Sequence, residues 1–144
     1  PRFGADSVSV DDILLQPVDV VAPCALGGTI SEDVAQRLQA TIVAGAANNQ
    51  LLTPQAGVIL GQRGILYAPD YVIIAGGIIM VAGEISGHND EAHILAQVDA
   101  IGPRLLDIFA QAKSKNVITN MVADSMARDK IAAAKAKTRI IEAA

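Results

Sequence analysis

VDVVAPCALGGTISEDVAQRLQATIVAG, residues 18–45, is the stretch that decides the fold. It opens on VDVVA at 18–22, a short β-branched run bounded by Pro17 and Pro23, the pattern of a strand buried on both faces. A turn, CALGGT, follows. Ser31 then stands as a helix N-cap, with Glu32 and Asp33 in the first turn, where the positive end of the helix dipole favours acids. The helix is expected to reach about residue 39. TIVAG at 41–45 returns as a second strand, so strand, crossover helix and parallel strand fit within about 30 residues.

A second unit repeats the plan. Thr53 caps a helix whose first position is Pro54, Gly64 closes it in the left-handed conformation, and ILYA at 65–68 forms another strand. The pattern is α/β with a parallel sheet. From residue 75 onward the chain reads as helix. A long amphipathic stretch carries Ile94, Leu95, Val98, Ile101, Leu105, Leu106, Ile108 and Phe109, with a kink expected at Gly102 and Pro103. A last helix over 119–137 places lysines and alanines on a solvated surface. The division expected is therefore 1–74 and 75–144, with no linker between them.

Composition narrows the function classes. At 144 residues and 51% hydrophobic, the chain can bury the core of one ordinary domain. A net charge of −4 with no basic patch, and 3% aromatics, supply neither a phosphate-tracking groove nor a base-stacking platform, so nucleic acid is not an expected partner. The single cysteine, Cys24, cannot form an internal disulfide, and no signal peptide opens the chain, which points to a reducing compartment, the cytoplasm. Residues 71–83 are uncharged, but 13 residues fall short of the roughly 20 a membrane helix needs, so no membrane association is expected. The opening PRFGADSVSVDD reads as the tail of a helix entering a loop, and the chain is taken as part of a longer protein.

In an open parallel sheet, ligands gather beyond the carboxyl ends of the strands. Three segments lie there: PCALGG at 23–28, GAANNQ at 45–50 and PDYVIIAGG at 69–77. Each combines small residues, which let a ligand approach the backbone, with a few polar groups, a surface suited to a flat neutral ring. Tight turns require the same residues, and spacing alone does not choose between the two. Asn48 and Asn49 could each hold a ribose hydroxyl or a carboxamide, or bond their own backbone in a turn; one of the two is assigned to ligand. Cys24 has no neighbouring His and no visible positive charge to activate it, and is read as a small, partly buried packing residue rather than a nucleophile. Asp70 is either a general base or a cap. His88 and His93, five apart, are expected on different helix faces, without the spacing of a helical metal pair; no metal site is expected.

Together, VDVVAPCALGGTI, TIVAGAANNQL and GILYAPDYVIIAGG, in this order and at this spacing, resemble the leucine, phenylalanine, valine and glutamate dehydrogenase family, most closely its leucine and phenylalanine branch. The resemblance covers residues 18–130, and three ordered motifs are far more specific than one glycine fingerprint. It implies half of a doubly wound, Rossmann-like sheet followed by C-terminal helices that pack back toward a substrate domain. It also implies an oxidoreductase that moves a hydride from the α-carbon of an apolar amino acid to NAD. The resulting imine hydrolyses to the 2-oxo acid and ammonia. In such enzymes the PCA and GAANN turns line the nicotinamide side of the cleft, which assigns Cys24, Ala25, Ala47, Asn48 and Asn49 to the cofactor. The complete enzyme is expected to be a homo-oligomer.

Two departures stand out. Where the family carries an Asn near the substrate carboxylate, in YVINAGG, this chain has Ile74, and an aliphatic side chain cannot donate a hydrogen bond to a buried carboxylate. That favours an amine dehydrogenase acting on a ketone, unless Ile74 is a core residue and the carboxylate is held elsewhere. Met80 points the same apolar way. The second departure is an absence: the chain has no G-x-G-x-x-G and no lysine before Lys113, so no catalytic residue is expected in it and the choice between NAD and NADP stays open. A rival reading is a non-catalytic α/β module whose bare sheet edge pairs with another chain. Another small-molecule enzyme on the same fold is the third.

Overall fold

The structure, a computed structural model, describes residues 3–88 and 90–142, with side chains to residue 136. Three strands, β1 (Val20–Val21), β2 (Ile42–Val43) and β3 (Leu66–Tyr67), form a parallel sheet in the order β1-β2-β3. In register, Val20 and Val21 pair with Ile42 and Val43, which pair in turn with Leu66 and Tyr67. Helices α1 (Glu32–Arg37) and α2 (Pro54–Gln62) are the two crossovers. The fold is α/β with C-terminal helices.

Local chemistry sets the helix boundaries. The Val34 N–H donates to Ser31 Oγ at 3.2 Å, and the Ala56 N–H to Thr53 Oγ1 at 3.3 Å, satisfying donors that an α-helix leaves free. Thr53 Oγ1 donates in turn to Glu32 Oε1 at 3.0 Å, tying the start of α2 to the start of α1. Gly64, at φ 71°, turns the chain out of α2, and Arg63 Nη1 reaches back to the Ala35 carbonyl at 2.7 Å. Helix α1 stops at Arg37, short of the expected end, because Leu38 turns extended to enter the core, where it is fully buried.

The core lies on one face of the sheet. Val21, Val43 and Tyr67 point into it beside Leu38 of the first crossover and Ile59 and Leu60 of α2. On the opposite face Val20 and Leu66 are exposed and Ile42 is half-buried. The strand expected to be buried on both faces is thus covered on one. Two residues per strand leave a short ladder, and the two crossover helices, α1 and α2, pack against each other. The helix tail expected at the start is absent from residues 3–12, where Gly4 is left-handed and Ser9 accepts from the Asp12 N–H in a local turn; residues 1 and 2 lie outside the described residues.

The chain divides into two compact units, Pro1–Ile74 and Ala75–Ala144. The first ends with the short helix α3 (Asp70–Ile73). The second contains α4 (Gly76–Ser86), α5 (Glu91–Asp99), α6 (Ile101–Lys115) and α7 (Thr119–Glu142). Gly87 at φ 74° ends α4, and Asp90 caps α5 by accepting from the His93 N–H at 2.9 Å. The break expected at Gly102 and Pro103 falls at Ala100 instead, because Pro103 sits in the first turn of α6, where a missing N–H leaves no hydrogen bond unmade. Helix α6 buries Leu105, Ile108 and Ala112 where it packs on α7, which buries Val122 and Ala123; Leu95 and Leu106 of the expected stripe are exposed. Among the described residues no helix is long and apolar enough to cross a membrane.

Candidate functional site

Beyond the carboxyl ends of the strands, the loops at 23–28 and 45–50 are tied to each other by backbone. Gly28 N–H donates to the Asn49 carbonyl at 2.6 Å, Ala47 N–H to the Pro23 carbonyl at 2.9 Å, and Ile30 N–H to the Gln50 carbonyl at 3.0 Å. The approach is close enough to require glycine. A Cβ at Gly27 would lie 2.5 Å from the Asn48 carbonyl oxygen, and one at Gly45 would overlap the Pro23 carbonyl. The small residues of these loops thus serve the packing of loop on loop, whatever else they do.

The third segment joins through a side chain. Asp70, buried at the start of α3, accepts from the Gln50 N–H through Oδ2 at 2.7 Å and from the Tyr71 N–H through Oδ1 at 2.6 Å. Its own N–H donates to Tyr67 Oη at 3.4 Å. Gln50, fully buried, donates through Nε2 to the Gly45 carbonyl at 2.7 Å and to the Ala47 carbonyl at 3.0 Å. Neither Gln50 nor Tyr67 stood out in the sequence. The nearest signal was Asp70 after Pro69, read there as base or cap; here its carboxylate is an acceptor for two backbone amides, one on the 45–50 loop and one in the first turn of α3.

Tyr67 reports on this environment. Burial, together with the Asp70 carboxylate beside it, pushes the phenol up from 10.0 to about 12. An unfolded chain would release that proton near pH 10 while the folded chain holds it. Stability from this group is therefore complete below about pH 10 and falls by roughly 2 to 3 kcal/mol as pH rises toward 12. A tyrosinate absorbance titration of the protein, minus that of a Tyr67→Phe variant, should isolate one phenol titrating near 12; a midpoint at the ordinary value would contradict the burial.

Of the residues assigned to the cofactor, the structure brings all five to one end of the sheet. Ala25, Asn48 and Asn49 are exposed, and Ala47 is buried. No hydrogen bond links either asparagine side chain to another described residue. Asn49, at φ 52°, takes the left-handed turn conformation, and its carbonyl closes the loop pair; its backbone is committed to the turn. Cys24 is exposed rather than partly buried, because its loop packs on the 45–50 loop through Pro23 and its glycines, and its Sγ accepts from the Ala46 N–H at 3.4 Å. Ile74 ends α3 half-buried in the same unit. In the other unit, His88 lies in the turn after α4 and not on a helix, so its ring meets that of His93 with centroids 5.8 Å apart, contrary to the separate faces expected. No cluster of three or more His, Cys, Asp or Glu among the described residues is placed to hold a metal ion.

Residues 3–143 match the family described as glutamate/leucine/phenylalanine/valine dehydrogenase. The chain belongs to that family. Its similarity is to the leucine and phenylalanine branch. It is 44% identical over 130 residues to leucine dehydrogenase of Geobacillus stearothermophilus, covering 90% of this chain and 35% of that enzyme. It is 48% identical over 130 residues to L-tryptophan dehydrogenase of Nostoc punctiforme, covering 90% and 36%. The crystal structure of L-tryptophan dehydrogenase from Nostoc punctiforme superposes with a TM-score of 0.84 at 47% identity, over 92% of this chain and 40% of that one. The chain thus spans between one third and two fifths of the length of these relatives.

Proposed function

We propose that the whole protein is an NAD-dependent amino-acid dehydrogenase that deaminates an apolar amino acid and, in reverse, aminates the 2-oxo acid with ammonia. Residues 1–74 would be the second half of its nucleotide-binding domain, and residues 75–144 a helical segment packing toward a substrate domain. The observation that carries this reading is the loop cluster itself, in which the free amides of Asn48 and Asn49 border small side chains at the carboxyl end of a parallel sheet in a member of this family.

The site fits a nicotinamide ring. Its floor is small and apolar at Ala25 and Ala47, and the Asn48 and Asn49 amides can donate and accept, as a carboxamide or ribose hydroxyl needs. When bound, NAD supplies the hydride acceptor. This chain's residues would seat the ring, fix which face it presents and keep water from that side; Cys24 borders the seat as a contact and not a nucleophile. Proton transfer is assigned to groups outside residues 1–144, since no lysine precedes Lys113. The exposed face carrying Val20 and Leu66 supports the same reading, because a doubly wound sheet covers both faces with helices. A homo-oligomer in the cytoplasm completes the proposal.

Ile74 favours a second reading, in which the substrate is a ketone or an amine without a carboxylate. The two separate in one assay of the whole protein with NADH, ammonia and a matched pair of acceptors, the 2-oxo acid of leucine and methyl isobutyl ketone. Turnover of the oxo acid alone establishes an ordinary amino-acid dehydrogenase, turnover of the ketone alone an amine dehydrogenase, and oxidation of NADH with neither removes both.

A further inference from the structure

Asp70 and Gln50 sit where the 45–50 loop needs holding. The loop's far side is fixed by backbone bonds to the 23–28 turn, but its near side hangs on two side chains, both buried. The Asp70 carboxylate reaches across 20 positions of sequence to take the Gln50 N–H, and the Gln50 side chain folds back to bridge the Gly45 and Ala47 carbonyls. Gln50 Oε1 is buried with no hydrogen-bond partner among the described residues. An aliphatic residue would avoid that orphaned oxygen but leave the two buried carbonyls without their donor, so the loop retains the costlier group for its Nε2. Between these anchors lie Ala47, Asn48 and Asn49.

We propose that Asp70 and Gln50 are positioning residues that latch the 45–50 loop in the shape that receives the nicotinamide ring; this rests on the dehydrogenase reading above. Neither touches the ring. The latch acts on the backbone: with it made, Asn48 is presented at a fixed height above Ala47, and with it broken the loop keeps its attachment to the 23–28 turn but loses its floor. Burial, with the Asp70 carboxylate beside it, raises the Tyr67 phenol, in keeping with the close packing of these groups.

The test compares two ligands on the whole protein, NADH and ADP-ribose, which lacks the ring. Asp70→Asn keeps the shape but offers one acceptor oxygen in place of two, so Gln50 N–H or Tyr71 N–H goes unpaired. The variant should bind NADH about tenfold more weakly and ADP-ribose within about twofold of the unaltered protein. Hydrogen exchange at the Gln50 amide should quicken, and Tyr67 should titrate lower. Gln50→Met leaves the carboxylate in place, removes the Nε2 donor and should give the same split, so the proposal stays testable if Asp70→Asn does not fold. Unchanged NADH affinity, or equal weakening of both ligands, overturns the latch. Failure of the unaltered protein to bind either ligand instead overturns the dehydrogenase reading.

Discussion

Gly45→Ala should destabilise the protein by about 3 kcal/mol or more and, on the dehydrogenase reading proposed above, abolish binding of a dinucleotide, although it adds a single methyl group. The added Cβ would overlap the Pro23 carbonyl oxygen and lie 2.5 Å from Pro23 N and 2.7 Å from Pro23 C. These are backbone atoms, so no rotamer change relieves the clash. Both segments are also fixed nearby: Ala44 N–H donates to the Val21 carbonyl at 3.0 Å and Ala47 N–H to the Pro23 carbonyl at 2.9 Å. Relief requires separating β1 from β2 at the end where the loops gather. Gly64→Ala is the control, because a Cβ there meets nothing within 4 Å and bears only the left-handed φ of 71°, which costs about 1 to 2 kcal/mol. Melting curves of the two variants should differ by at least several degrees; equal curves would mean that the two loops do not meet as described.

Ile74→Asn should carry the largest effect on specificity. If Ile74 faces the substrate where the family places an amide, the present protein leaves a carboxylate without its donor, and restoring one hydrogen bond to a charged group is worth about tenfold to hundredfold. The ratio of kcat/KM for the oxo acid over the matched ketone should rise by that factor. A fall in melting temperature with the ratio unmoved would instead show Ile74 to be a packing residue, consistent with its half-buried place at the end of α3.

The family branch was legible before any fold was known, because PCALGG, GAANNQ and PDYVIIAGG are contiguous strings whose order and spacing survive in sequence. Their chemistry was less legible. Cys24 read as partly buried is exposed, since Pro23 and the glycines of its turn, and not its own side chain, meet the 45–50 loop. Asp70, read as base or cap, also ties the start of α3 to the 45–50 loop, which no window showed because its partner Gln50 lies 20 positions away and gives no periodic signal. His88 and His93 read as divergent are neighbours, because Gly87 ends α4 before the first of them and resets the geometry.

What the sequence determined by itself was local: the alternation of strand and helix, the caps at Ser31 and Thr53, the stop at Gly64 and the three turns. Each depends on backbone groups within a few residues, and a cap or a left-handed glycine acts the same way in any surrounding fold. The tertiary structure decided which face of VDVVA is covered, and that the small residues of one turn are small because another turn lies against them. Those outcomes depend on atoms brought from 20 or more positions away, in the contacts of Gly45 with Pro23 and of Asp70 with Gln50. No window along the chain contains both sides of such a contact.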